Sequence, residues 1–158
     1  MRTVTRTDRA SRLIRAPRDA VYRAFVDPDA LVRWLPPEGM TGEILAFDPR
    51  PDGAYRMALH YAAADHETPG KTSEHADLVE GRFVALVPGR RIVQAAAFDS
   101  DDPAFAGVMT ISWSFESANG GTRVAVVCED VPEGITRRDH EAGLKSSLAN
   151  LAAFVERG

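Results

Sequence analysis

RRDHEAGLKSSLANLAAFV, residues 137–155, decides how the rest of the chain is read. Leu144, Leu148, Leu151 and Val155 recur at i, i+4, i+7 and i+11, so one apolar stripe runs along a helix. Thr136 to Asp139 has the spacing of a capping box and starts that helix near Thr136. A helix of about 21 residues is a rod of roughly 32 Å, with Asp139, Ser146, Asn150 and Arg157 on the side away from the stripe. So long a stripe needs a broad apolar surface to cover it. The rest of the chain supplies that surface as strands.

From Thr41 to Glu129 the hydrophobic period is two, and turn residues separate the runs. TGEILAFD, AYRMALHY, SEHADLVEGRFVALV, RIVQAAAF, VMTISWSF and TRVAVVCE read as successive antiparallel strands, with ANGG as the clearest hairpin turn. Gly81 predicts a bulge in the third of them. Before these, Ser11 to Arg15 reads as a short strand. APRDAVYRAFVDPDALVRWLPP then reads as two short helices, with Pro17 and the Asp27-Pro28 pair as start signals. The fold class is α+β: six or seven antiparallel strands, two short helices near the start, and one long helix across a sheet face.

The bulk composition narrows the function. At 158 residues with 44% hydrophobic and 27% charged residues, the chain has the size and balance of one globular domain, residues 1–158. A net charge of −4 gives no support to nucleic-acid binding. No apolar run is long enough for membrane insertion, and the basic N-terminal stretch has no apolar core of a secretory signal. Cys128 is the single cysteine, which leaves no internal disulfide and fits a reducing, cytoplasmic setting.

His140-Glu141-Ala142-Gly143-Leu144 is one residue short of the zinc motif H-E-x-x-H. That motif needs two histidines on one helix face, and here the second position is Leu144. His60, His66 and His75 fall on strand or loop segments. No metal site and no cofactor are expected. The stripe itself passes from apolar to polar toward the N-terminus, meeting His140 at i−4 and Arg137 at i−7. That change would place polar groups at one end of an apolar space under the helix, unless the first turns project into solvent.

In RIVQAAAF, Ile92, Gln94, Ala96 and Phe98 share one face; small residues and an amide there leave volume and a polar group to be satisfied. His75, Asp77 and Val79 share another strand face. An apolar enclosure with a few polar groups is the chemistry of a small-molecule pocket. The alternative is a filled core with Gln94 turned outward.

Three stretches carry a family resemblance. APRDAVYRAFVDPDALVRWLPP, VEGRFVALVPGRRIV and HEAGLKSSLANLAAF resemble, in order and over about residues 10–156, the signatures of the Aha-type heat-shock-protein ATPase activator homologues of the START-like (SRPBCC, helix-grip) superfamily. The resemblance implies a curved sheet and a long C-terminal helix closing a cavity. His140 and Gly143 match the last-helix signature; Leu144 departs from it, standing where the family usually has Trp, which implies an enlarged or reshaped cavity.

The resemblance implies a non-catalytic cytoplasmic binding protein for a small hydrophobic, aromatic or amphipathic molecule. The candidate ligand-binding residues are Trp34, Tyr55, Met57, Leu59, Phe83, Gln94, Phe98, Met109, Ile111, Trp113, His140, Leu144 and Leu148. Gln94 and His140 are the candidates for orienting a polar group. Two alternatives stand beside it. One is a cyclase- or aromatase-like enzyme using His140 with Glu141, or His75 with Asp77, as a proton shuttle. The other is a protein-interaction module, although the chain reads as lacking the additional N-terminal domain of the eukaryotic activators. Edge strands can pair between subunits, so a homodimer is compatible with this architecture.

Overall fold

The computed structural model describes residues 6–36, 39–61, 76–98 and 103–156, with the side chains of Tyr61, Ala76 and Asp77 outside the description. The His75–Asp77 pair and Arg157 of the sequence reading therefore lie outside the described side chains. The chain order is β1 (Thr7–Ile14), α1 (Arg18–Val26), α2 (Pro28–Trp34), β2 (Met40–Phe47), β3 (Ala54–Tyr61), β4 (Ala76–Val87), β5 (Arg91–Phe98), a one-turn 3₁₀ segment (Pro103–Phe105), β6 (Met109–Ala118), β7 (Gly121–Glu129) and α3 (Arg137–Glu156). The strands form one curved antiparallel sheet in the order β1-β7-β6-β5-β4-β3-β2. The expected α+β architecture is the one observed. From β2 to β7 each strand lies beside its successor in sequence, and among the described strands only β1 crosses, to join β7.

β1 begins at Thr7 rather than Ser11, because its pairing with β7 runs without interruption from Thr7–Glu129 to Ile14–Thr122. Its early residues, TDRAS, carry no alternation that would announce a strand. α3 runs alongside it in the same direction. The backbone N–H of Arg9 donates to Glu141 (3.2 Å) and that of Arg15 to Glu156 (3.0 Å). Roughly 20 Å of strand between the two arginines matches roughly 22 Å of helix between the two glutamates. Carboxylates of α3 thus take up amides on an edge that would otherwise be open.

Gly81 corrects a second reading. The register of β4 shifts between Phe83 and Ala85, where Val84 is the extra residue, whereas Gly81 pairs regularly with Tyr55 and Ala96. The glycine is needed because the ring of Tyr55 lies over it: an added Cβ would meet Tyr55 Cζ at 2.6 Å and also strike the Ala95 carbonyl. β2 has its own irregularity between Ile44 and Ala46.

The core sits between the concave face of the sheet and the three helices. Val124, Val126 and Cys128 of β7 alternate inward, each without solvent exposure, and Leu148 and Leu151 of α3 are buried with them. Phe25 of α1 is the hub of an aromatic cluster, with ring centroids 4.6 Å from Trp34, 4.8 Å from Trp113 and 5.1 Å from Phe115. Such tilted and edge-on pairs contribute about 0.5–1.5 kcal/mol each beyond their burial. Asp27 caps α2 by accepting from the N–H of Asp29 (3.0 Å), and Thr136 Oγ1 caps α3 by accepting from that of Asp139 (3.1 Å).

Asn150 does not take the solvent side of α3. Its Nδ2 donates to the carbonyl of Pro36 (3.0 Å), and Ser147 Oγ donates to that of Leu35 (2.6 Å). Helix α2 packs on this flank, and the carbonyls at its end have no partner within the helix; α3 supplies their donors.

Candidate functional site

The space left between sheet and α3 is a cavity of about 490 Å³, within the usual range for small-molecule sites. Strand alternation determines its floor: Tyr55, Met57 and Leu59 of β3, Phe83 of β4, Gln94 and Phe98 of β5, and Met109, Ile111 and Trp113 of β6 all face it. Trp34 closes it from α2, and His140 and Leu144 from α3. Leu148 is apart from this group. It is 1% exposed and belongs to the packed core one turn beyond the cavity.

Other lining residues were not singled out by sequence. Phe25, Phe47 and Cys128 extend the walls, and Phe105, Ile135 and Thr136 frame the rim. Cys128 shares strand parity with Val124 and Val126, a signal that could have found it. Phe105 stands in an irregular segment with no period. It is positioned by tertiary contacts: its ring meets Phe98 at 6.3 Å, and Gly134 N–H donates to the neighbouring Ala104 carbonyl at 2.7 Å. A Cβ at Gly134 would lie 2.8 Å from that carbonyl oxygen and 2.8 Å from the Phe105 ring.

Most polar atoms around the cavity are already engaged. Trp34 Nε1 donates to the Ala24 carbonyl (2.9 Å), leaving its ring to the cavity. The hydroxyl of Tyr55 donates to the Ala95 carbonyl (3.4 Å), and burial pushes its pKa well above the ordinary range. Burial, followed by the charge of Asp8, pushes the Cys128 thiol up to about 12, which keeps it neutral and a poor nucleophile at physiological pH. Besides Thr136 and Asp139, Gln94 and His140 retain a free hydrogen-bonding atom. Gln94 Oε1 accepts from Trp113 Nε1 (3.1 Å), and its amide nitrogen has no partner among the described residues. His140 is bound only through Nδ1.

The partner of His140 is Asp8, not Glu141. Glu141 turns to the amide of Arg9. Asp8 has no side-chain exposure, and its Oδ2 lies 2.7 Å from His140 Nδ1. Arg6 adds two bonds to the same carboxylate (3.0 and 2.9 Å) and Arg137 a third (3.2 Å). Burial would raise the Asp8 pKa, but the bonds from His140, Arg6 and Arg137 and the charge of Arg6 outweigh it and hold the carboxyl below its ordinary value. The polar first turns of α3 therefore keep Arg137, Arg138 and Asp139 exposed while His140 turns inward to Asp8. They are one half of an ionic cluster whose other half is on β1. Among the described residues, no group of three or more His, Cys, Asp or Glu side chains could hold a metal ion.

A long helix gripping a curved antiparallel sheet over an apolar cavity defines the START-like, helix-grip class. Residues 15–156 match the family model described as "Activator of Hsp90 ATPase homolog 1-like protein", and the chain belongs to that family. The crystal structure of a Chromobacterium violaceum protein is similar at 37% identity and a TM-score of 0.83, covering 95% of this chain and 96% of that one. A solution structure from Arthrobacter aurescens (13% identity, TM-score 0.78, 96% and 87% covered) shares the fold. So does a crystal structure from Rhodobacter sphaeroides (16%, 0.74, 96% and 93%). No curated protein matches. Family and fold accommodate a ligand-binding or a co-chaperone-like module. Among the described residues no helix is long and apolar enough to cross a membrane.

Proposed function

We propose that this protein binds a small hydrophobic or aromatic molecule in the cavity between the sheet and α3. The observation that carries this reading is the cavity itself: about 490 Å³, walled by aromatic and aliphatic side chains, with few polar atoms left unengaged. A core needing only stability would close such a volume, because unfilled space forfeits dispersion contacts. Mass spectrometry of the freshly purified protein under native and denaturing conditions tests it. A small molecule released only on unfolding, or a thermal shift with an added aromatic compound, is the expected result. An apo mass together with no shift from any apolar compound would overturn it.

One observation favours a second reading, proton transfer on the bound molecule. A carboxylate that orients an imidazole is the arrangement of a general base, and Asp8 holds His140 in this way at the cavity wall. Turnover that disappears in His140→Ala while the fold and ligand binding persist would establish it.

A further inference from the structure

Gln94 and His140 keep free hydrogen-bonding atoms of opposite polarity, and the protein fixes both polarities. An indole N–H can only donate, so the atom of Gln94 that faces Trp113 Nε1 at 3.1 Å must be the amide oxygen. The remaining atom of Gln94 is an NH₂ group, a donor. An ionised carboxylate can only accept, so His140 Nδ1, 2.7 Å from Asp8, must carry its proton. In the neutral ring the remaining nitrogen, Nε2, is an acceptor. Arg6 and Arg137 keep Asp8 ionised and in place, so this choice of tautomer does not depend on the ligand.

From these constraints we infer that the cavity selects an uncharged aromatic molecule that donates a hydroxyl proton to His140 Nε2 and accepts from the Gln94 amide through a carbonyl-type oxygen. This rests on the binding reading above and adds the substituents to it. A ligand carboxylate is disfavoured at the helix end. With the ring neutral it would meet a nitrogen lone pair, with the carboxylates of Asp8 beside the ring and of Asp139 at the cavity rim. A plain hydrocarbon would leave the Gln94 donor and the His140 acceptor unpaired once water is displaced, which is costly in an apolar enclosure.

Four biphenyls of matched shape test this by titration calorimetry at about pH 8. 4-Phenylphenol against 4-methylbiphenyl reads the hydroxyl; 4-acetylbiphenyl against 4-isopropylbiphenyl reads the acceptor. His140→Phe should reduce the hydroxyl preference about tenfold and leave the acetyl preference unchanged, and Gln94→Leu should do the reverse, as expected for one hydrogen bond each. Should either variant fold poorly, His140→Gln and Gln94→Glu replace them. The first keeps a donor for Asp8 and can present an acceptor, so it should restore part of the hydroxyl preference. The second keeps an acceptor for Trp113 but loses the donor, so it should lose the acetyl preference. If all four compounds bind and neither variant changes either ratio, the assignment of donor and acceptor is wrong while the cavity reading stands. If none binds and no molecule co-purifies, the binding reading itself fails, and this inference fails with it.

Discussion

His140 Nδ1 lies 2.7 Å from Asp8 Oδ2, although 132 positions separate the two in sequence. That bond joins the first strand to the first turn of the last helix and fixes the histidine at the cavity wall. Its energetic and chemical consequences can be measured separately.

Replacing Asp8 with Asn should destabilise the fold by about 1.5–3 kcal/mol at neutral pH, the range for hydrogen bonds to charged groups. The pH dependence follows from the lowered pKa of Asp8. Unfolded chains take up the proton first on acidification, near the ordinary Asp value of about 3.9. The stabilisation is thus complete above that value and is lost as pH falls through the lower folded value. Denaturant unfolding at a series of pH values should show the wild-type advantage over Asp8→Asn shrinking below about pH 4. A gap independent of pH would contradict the ionic account.

Leu144 and Leu148 are one helical turn apart and should behave differently. Leu148 is 1% exposed in the packed core, so Leu148→Ala should cost about 2–5 kcal/mol. Leu144 borders the cavity, so Leu144→Trp should fill empty volume, leave the melting temperature equal or higher, and weaken aromatic ligands at least tenfold. Thermal unfolding and ligand titration on both variants would check the contrast.

Gly81→Ala should cost about 1–3 kcal/mol, because a methyl group there collides with the Tyr55 ring and the Ala95 carbonyl inside a regular strand. Near-UV circular dichroism should register the displaced tyrosine. A bulge at this position would instead tolerate alanine with little change.

The Cys128 thiol, pushed up to about 12 by burial and by Asp8, should resist iodoacetamide at pH 8 in the folded protein and react once under denaturant. Intact-mass measurement counts the adducts. Rapid labelling of the folded chain would show that the base of the cavity opens to solvent.

The antiparallel strands and the long helix were legible because each rests on local regularities: the period of two from Thr41 onward, the turn at residues 118–121, the caps at Asp27 and Thr136; the place of β1 beside β7 was not. The face shared by Gln94 and Phe98 could likewise be read from parity, and so could those shared by Tyr55 and Met57 and by Met109 and Trp113. Asp8 could not. It stands among polar residues with no alternation, and it is buried only because β7 and α3 arrive from the far end of the sequence. For the same reason the sequence offers His140 only its neighbour Glu141 as a candidate partner, and not Asp8. Gly81 was misread because a glycine in a strand has two physical meanings, extra backbone or close approach, and only the position of the Tyr55 ring distinguishes them.

The place of β1 in the sheet bears on how the protein is made. Among the described residues β1 pairs with β7 alone, so on a ribosome it waits unpaired while every other strand is synthesised, and α3 must follow before its outer amides are taken up. Contacts this distant in sequence slow folding and prolong exposure of the partly folded chain. The polar end of the cavity is consequently the last part to be assembled, and a nascent chain holds an apolar trough before it holds the groups that orient what enters it.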